Sequence, residues 1–212
     1  MPRLVDHGAR RREITDAVRR VIVSGGLAAV TFQTVAAEAG ISVRLVQYYF
    51  GTKKEFLLAT HQSVMHDAGT RFAQRMSTHS GDTSPRQILR MVLVELLPLD
   101  EQRRQEAIVL GAFNTAAIAG QGITTDETLT APRALAAVLA DQLGRAGRAD
   151  ETPGRTELDA ELILAAGAGI AQGMLPGHYT AQTAVDLVDR LLDLTLATTP
   201  DTELNGSARE TT

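Results

Sequence analysis

The side chains best suited to chemistry in this chain of 212 residues lie in one stretch, VTFQTVAAEAGISVRLVQYYFGTKKEFLL, from Val30 to Leu58. Arg44, Gln47 and Tyr48 stand at i, i+3 and i+4, so on a helix they share one side. Arginine matches the O6 and N7 acceptors of guanine as a pair, and glutamine matches N6 and N7 of adenine. The chemistry they offer is recognition, the reading of base edges in a groove. Lys53 stands where a further helix is expected to begin. There its ammonium and the unpaired N–H groups of the first turn can meet the same phosphate.

Nothing comparable points to catalysis. The chain has no cysteine, hence no thiolate nucleophile, disulfide or Cys-ligated zinc, which fits a reducing cytoplasm. His61 and His66 are five apart, off the i, i+4 spacing of a helical metal pair, and His79 and His178 have no evident partners. The glycines Gly167, Gly169 and Gly173 miss the dinucleotide-binding spacing by one residue and follow no strand, so close helix packing explains them better. There is no GxSxG sequence and no phosphate-binding P-loop. We expect no enzyme, no cofactor and no metal. No apolar h-region opens the chain, and no apolar run is long enough for a membrane helix.

Positioning the reading residues requires two short helices. Phe32–Ala39 has Val35, Ala36 and Ala39 on one face, and Val43–Tyr49 has Leu45, Val46 and Tyr49 to turn inward. Gly40 suits a left-handed turn between them. Ser42 and Thr31 suit the N-caps of the second and first helix. The small Ala36 lets the two approach closely, completing a helix-turn-helix pattern. Before it, Ala9 to Ser24 carries a buried stripe of Ile14, Ala17, Val18, Val21 and Ile22. Arg10, Arg11 and Arg12 in its first turn oppose the helix dipole. A phosphate alongside would reverse that sign, the alternative being a solvated cluster. The net charge of −4 hides a division: residues 1–54 carry +5 and the rest −9. A basic head on an acidic body suits a protein that offers one end to a polyanion.

The run VAAEAGISVRLVQYYFGTKKEFLL resembles the DNA-binding domain of the TetR family of bacterial regulators, densely over about Arg10 to Leu58 and more loosely in the helical remainder. Many members have Tyr where this chain has Gln47. The form LVQYYFGTK is closer to the branch containing the choline-responsive repressor of betaine synthesis, and ELLPLDEQRRQEAIVLGAF resembles the ligand-binding half of that branch. The resemblance implies base contact for Arg44, Gln47 and Gln33, and phosphate contact for Thr31, Tyr49 and Lys53. Tyr48 can touch a base methyl or a phosphate, and Ser42 and Val43 join the DNA-facing edge. It also implies an all-α fold of about nine helices: a DNA-binding domain at 1–54 and a ligand-binding and dimerisation domain at 55–198; the polar composition of 199–212 gives the expectation of a disordered tail.

The remaining helices are expected at Lys53–Thr78, Arg86–Leu97, Glu101–Ala119, Pro132–Arg145, Glu157–Leu175 and Ala181–Thr198. The last two have apolar faces too wide for one small domain to cover. In the family such helices form a four-helix bundle with a partner chain, so Leu162, Ala165, Gly169, Gly173, Val185, Val188 and Leu192 are expected at a homodimer interface. Polar residues amid apolar helices, Glu95, Asn114 and Gln172, are candidates for an inducer pocket walled by Met91, Leu110 and Phe113. Few aromatics line that region, so a cage for a quaternary ammonium is not expected. The expected function is a cytoplasmic, homodimeric repressor that leaves a palindromic double-stranded DNA operator when a small-molecule inducer binds. The alternatives are a regulator whose body docks another protein, and an all-helical enzyme or carrier with a vestigial head.

Overall fold

The computed structural model describes residues 7–78, 83–148 and 154–197. The expected tail at 199–212 and His79 lie outside them. Among the described residues the chain forms nine α-helices: α1 (His7–Gly25), α2 (Phe32–Ala39), α3 (Val43–Tyr49), α4 (Lys53–Thr78), α5 (Pro85–Leu96), α6 (Glu101–Ile118), α7 (Thr125–Leu143), α8 (Arg155–Met174) and α9 (Ala181–Leu196). The all-α architecture matches the expectation, and no described helix is long and apolar enough to cross a membrane.

Two apolar cores organise the helices. The first joins Ile14, Val18 and Ile22 of α1 to Val35 of α2, Val46 of α3, Phe50, and Phe56 and Val64 of α4. Phe56 meets both Phe32 and Phe50 edge-on, with ring centroids 5.2 and 6.3 Å apart. This core does not stop at the head: Val109, Phe113 and Ala116 of α6 and Ile123 belong to it. The second core is Leu89, Val92 and Leu93 of α5, Leu139 and Leu143 of α7, Ala160 and Ile163 of α8, and Ala184, Val188 and Leu192 of α9. Gly167 suits the close approach of α8 to α5, since a Cβ there would lie 3.0 Å from the Leu93 side chain, which would have to give by a few tenths of an ångström.

The start of α7 departs from expectation. Proline is tolerated in a first turn, so Pro132 suggested the start there. The helix instead begins at Thr125, where Thr124 and Glu127 form a reciprocal capping box. Pro132 therefore sits inside the helix, at the cost of one backbone hydrogen bond.

Helix α4 runs from the head into the body, and buried charges secure it there. The Arg71 guanidinium donates to Glu95 of α5 at 3.0 Å and to both carboxylate oxygens of Glu106 of α6 at 2.7 and 2.5 Å. Arg75 approaches Glu95 at 2.5 Å from the other side. Both glutamates are buried, and these hydrogen bonds, the Glu106 pair first among them, hold the guanidinium firmly protonated. Removing one partner from such a group leaves an uncompensated buried charge, which costs far more than an exposed pair contributes.

Candidate nucleic-acid interface

Local sequence builds the helix-turn-helix. Thr31 caps α2: its hydroxyl accepts from the Thr34 N–H at 3.0 Å, and the Thr34 hydroxyl accepts from the Thr31 N–H at 2.9 Å. Gly40 ends α2 at φ 65°, ψ 29°, the left-handed region that a side chain disfavours. Ser42 then caps α3 by accepting from the Leu45 N–H at 3.2 Å. Beyond α3, Thr52 and Glu55 start α4 in the same reciprocal way, Glu55 reaching back to the Gly51 N–H at 3.1 Å. Each cap satisfies backbone donors that a helix start otherwise leaves open.

These caps fix which side of α3 faces out. Val46 and Tyr49 are buried, Leu45 is half-buried, and Arg44, Gln47 and Tyr48 are exposed, Tyr48 at 70%. Gln33, Thr31, Ser42 and Lys53 are exposed as well. Val43, read from the sequence as facing outward, instead packs partly against the head core. Tyr49 is a core residue, with Tyr48 against it edge-on at 5.2 Å. The hydroxyl of Thr31 is committed to its cap.

The arginines of the first turn of α1 look alike in sequence and separate in space. Arg10 pairs with Glu13 and Arg12 is exposed. Arg11 reaches α3, donating from Nη1 to the Tyr49 carbonyl at 2.7 Å, with its guanidinium carbon 4.0 Å from the centre of the Phe50 ring. Lys54 pairs with Glu127 at the start of α7, 2.9 Å away. That lysine and the Thr124 N–H hold the Glu127 carboxyl below its ordinary range. Arg11 was read with its neighbours as a possible phosphate partner, not as a contact to α3, and Glu127 was not read at this surface. Thr124-x-x-Glu127 is legible as a capping box; the partner of Arg11, 38 residues away, has no local signal.

The six pocket candidates differ in burial and surroundings. Asn114 and Gln172 are exposed, Met91 and Leu110 are half-buried, and Phe113 belongs to the head core, edge-on to His61 at 5.2 Å. Glu95 is buried but already answered by Arg71 and Arg75. A buried polar side chain thus found its partners within the chain. A cavity of about 40 Å³ lies elsewhere, between α1 and α6, lined by Arg19, Gln102, Gln105, Glu106 and Val109. It holds roughly one water rather than a metabolite.

The expected dimer residues also divide. Leu162, Ala165 and Gly169 of α8 are exposed, in line with Leu158. Val188 and Leu192 are fully buried in the body's own core, and Val185 packs against it. Gly173 serves the subunit too, because a Cβ there would lie 2.5 Å from the Tyr179 ring. An amphipathic stripe shows that a face is apolar but not which neighbour covers it. Here α5 and α8 both pack against α9.

With this geometry in place, comparison with known proteins is specific. Residues 14–60 match the tetR family of bacterial regulatory proteins. The HTH-type transcriptional regulator PksA of Bacillus subtilis is 31% identical over 113 residues, 53% of this chain and 54% of that protein. The HTH-type transcriptional regulator BetI of Rhizobium meliloti is 40% identical over 65 residues, 31% of this chain and 32% of that protein. The matches thus span about half and about a third of these relatives, and the short BetI match gives the body no ligand. A transcriptional regulator from Rhodococcus sp. Rha1 superposes with a TM-score of 0.73 at 26% identity, over 88% of this chain and 95% of that one. The helix-turn-helix head thus matches the tetR family of bacterial regulatory proteins over residues 14–60, and the described helices as a whole share the fold of the Rhodococcus regulator.

Proposed function

We propose that this protein is a homodimeric, ligand-responsive repressor that binds a palindromic DNA operator through residues 1–54 and dimerises and senses through residues 55–198. The observation that carries the reading is the outward face of α3: Arg44, Gln47 and Tyr48 are exposed together on a helix capped at its start and packed from behind. Such a helix fits the major groove. Arg44 then pairs with guanine and Gln47 with adenine, with Gln33 reaching a base from the start of α2. Tyr48 touches a base methyl or a phosphate. Lys53 and the first N–H groups of α4 hold a phosphate. Because the relatives are matched over only part of their length, the support is this geometry together with the family's head.

One head makes too few contacts for a selective site, and a two-fold partner doubles them at half-sites about 34–36 Å apart. The exposed stripe of Leu158, Leu162, Ala165 and Gly169 on α8, with Leu194 of α9 at 59% exposure, supplies an apolar face for a second copy. The inducer reading assigns the response to α4. A ligand that prefers one arrangement of α4 against α5 and α6 shifts the spacing of the heads, and with it the affinity for DNA.

The test is binding to the DNA flanking the protein's own gene, repeated across salt concentrations. Saturable binding to one palindrome, weakening steeply with salt, supports the regulator. Weak binding indifferent to sequence there and in randomised DNA pools sinks it.

A further inference from the structure

Helix α3 has only seven residues, too few to be stable alone, so what holds its two ends decides how its side chains are presented. Ser42 holds the start. The end is different. Phe50 leaves the helix in an extended conformation, φ −139° and ψ 106°. The carbonyl of Tyr49 then lies beyond the reach of any further helical N–H. Arg11 of α1 supplies the missing donor at 2.7 Å, and its guanidinium covers the Phe50 ring at 4.0 Å. His7, one turn earlier on α1, lies against Tyr49 with ring centroids 5.1 Å apart.

We propose that Arg11 is a positioning residue for DNA recognition: from α1 it caps the C-terminal end of α3 and sets the angle at which Arg44, Gln47 and Tyr48 are offered. The proposal rests on the DNA-binding reading above. It goes beyond it by giving Arg11 a role exerted through α3 rather than on a phosphate. The physics favours the arrangement from both sides. A cation in the first turn of α1 opposes that helix's dipole, whereas the same charge at the end of α3 complements the partial negative charge there. A charge-assisted hydrogen bond to a carbonyl is stronger than a neutral one, and a guanidinium over an aromatic face adds a further attraction. Phe50 is fully buried and also meets Phe56 of α4, so the contact ties the end of α3 to the rigid centre of the head. Of the three neighbouring arginines, Arg11 alone reaches α3; Arg10 turns to Glu13 on its own helix.

The experiment begins with a duplex enriched from randomised DNA by the full-length wild-type protein. Affinity for that duplex and for a scrambled one is then measured across salt concentrations for wild type, Arg11→Met, Arg11→Lys and Lys53→Ala. Methionine keeps an apolar contact with Phe50 and removes the donor; lysine restores a cationic donor. The expected result is that Arg11→Met binds the enriched duplex about tenfold more weakly while affinity for the scrambled duplex hardly changes. The salt slope stays as in wild type, and Arg11→Lys recovers most of the loss. Lys53→Ala weakens both duplexes and lowers the slope by about one per contact. Hydrogen exchange supplies a local readout: in Arg11→Met the last amides of α3 exchange faster while those of α1 and α2 keep wild-type protection.

An unchanged ratio between the two duplexes overturns the proposal. So does a reduced salt slope in Arg11→Met, which makes Arg11 a phosphate contact. A proportional loss on both duplexes with general loss of protection makes it a residue of head stability only. If wild type enriches no duplex at all, the DNA-binding reading fails and takes the proposal with it.

Discussion

Arg44 and Arg71 sit on helices 27 residues apart and belong to opposite electrostatic regimes. Arg44 is exposed on the outer side of α3. Arg71 is drawn in between α5 and α6, where two buried glutamates receive it. The head thus presents positive charge outward, on a surface whose net charge is +5 over residues 1–54. The body, though strongly acidic, sets several of its acids in pairs: Glu95 and Glu106 on Arg71, Asp189 on Arg90, Asp193 on Arg86. Arg90 and Asp189 meet through two hydrogen bonds of 2.6 and 3.1 Å, and the arginine holds that carboxyl below its ordinary range. The same residue type therefore stands exposed to solvent in one region and is tied into helix packing in the other. The difference lies in what the neighbouring helices bring: α3 faces solvent on the side where Arg44 stands, while α4 meets two acids.

Substitutions should separate the two regimes, the largest effect first. Arg44→Ala should leave the thermal unfolding temperature near wild type and weaken operator binding by about 100-fold or more. Each bidentate contact is worth about 1–3 kcal/mol and a dimer carries two. Gel shift and differential scanning calorimetry together check it, and unchanged affinity would remove Arg44 from the reading surface. Arg71→Ala should do the reverse to the fold, lowering stability by about 3 kcal/mol because Glu106 is left buried without its arginine. Urea unfolding reads this directly. A loss below about 1 kcal/mol would mean that water reaches the glutamates once the arginine is gone.

A third substitution tests the outer face of the body. Leu162→Glu should shift the protein from dimer to monomer in sedimentation, since Leu162 is 60% exposed in the single chain and a carboxylate there would be buried against its symmetry mate. Val188→Ala should instead destabilise each subunit by about 1 kcal/mol or more through a cavity, with dimerisation weakened only indirectly.

The smallest expected effect is a pH dependence at the junction of α4 and α6. His61 is buried beside Phe113, and burial lowers its pKa below the ordinary value of 6.5. The unfolded chain therefore binds a proton there more readily than the folded one, so stability rises with pH. It should be complete above about pH 6.5 and decline as the pH falls toward the lowered folded value. His61→Leu should flatten this part of the profile, measured as unfolding midpoints between pH 5 and about 7.5. A wild-type profile already flat there would show that protonated His61 finds room in the fold.

Local chemistry was legible wherever a few adjacent residues decide the backbone. The boundaries of α2 and α3 emerge as read, because Thr31, Gly40 and Ser42 each act within four residues of themselves. The start of α7 was misplaced because one local signal, Pro132, was weighed above another, the capping box of Thr124 and Glu127. Burial within the single chain divides the pocket and dimer candidates. Glu95, Val188 and Leu192 were correctly read as unusual or apolar, but Glu95 finds its partner in Arg71 and the two apolar residues share a core to which α5, α7 and α8 all contribute.

The sequence by itself determined the helices, the turn, the placing of Arg44, Gln47 and Tyr48 on one side of α3, and the basic head on an acidic body. Periodicity, capping and composition act over a few residues, and composition is additive. Only the tertiary structure decided which of three consecutive arginines braces α3, that Lys54 answers Glu127, that α6 completes the head's core, and that Glu95 and Glu106 close on Arg71. Those choices depend on helices far apart in the chain arriving at the same place. The energy of a charge or an apolar face is set by the neighbour that arrives, and the local pattern does not record it.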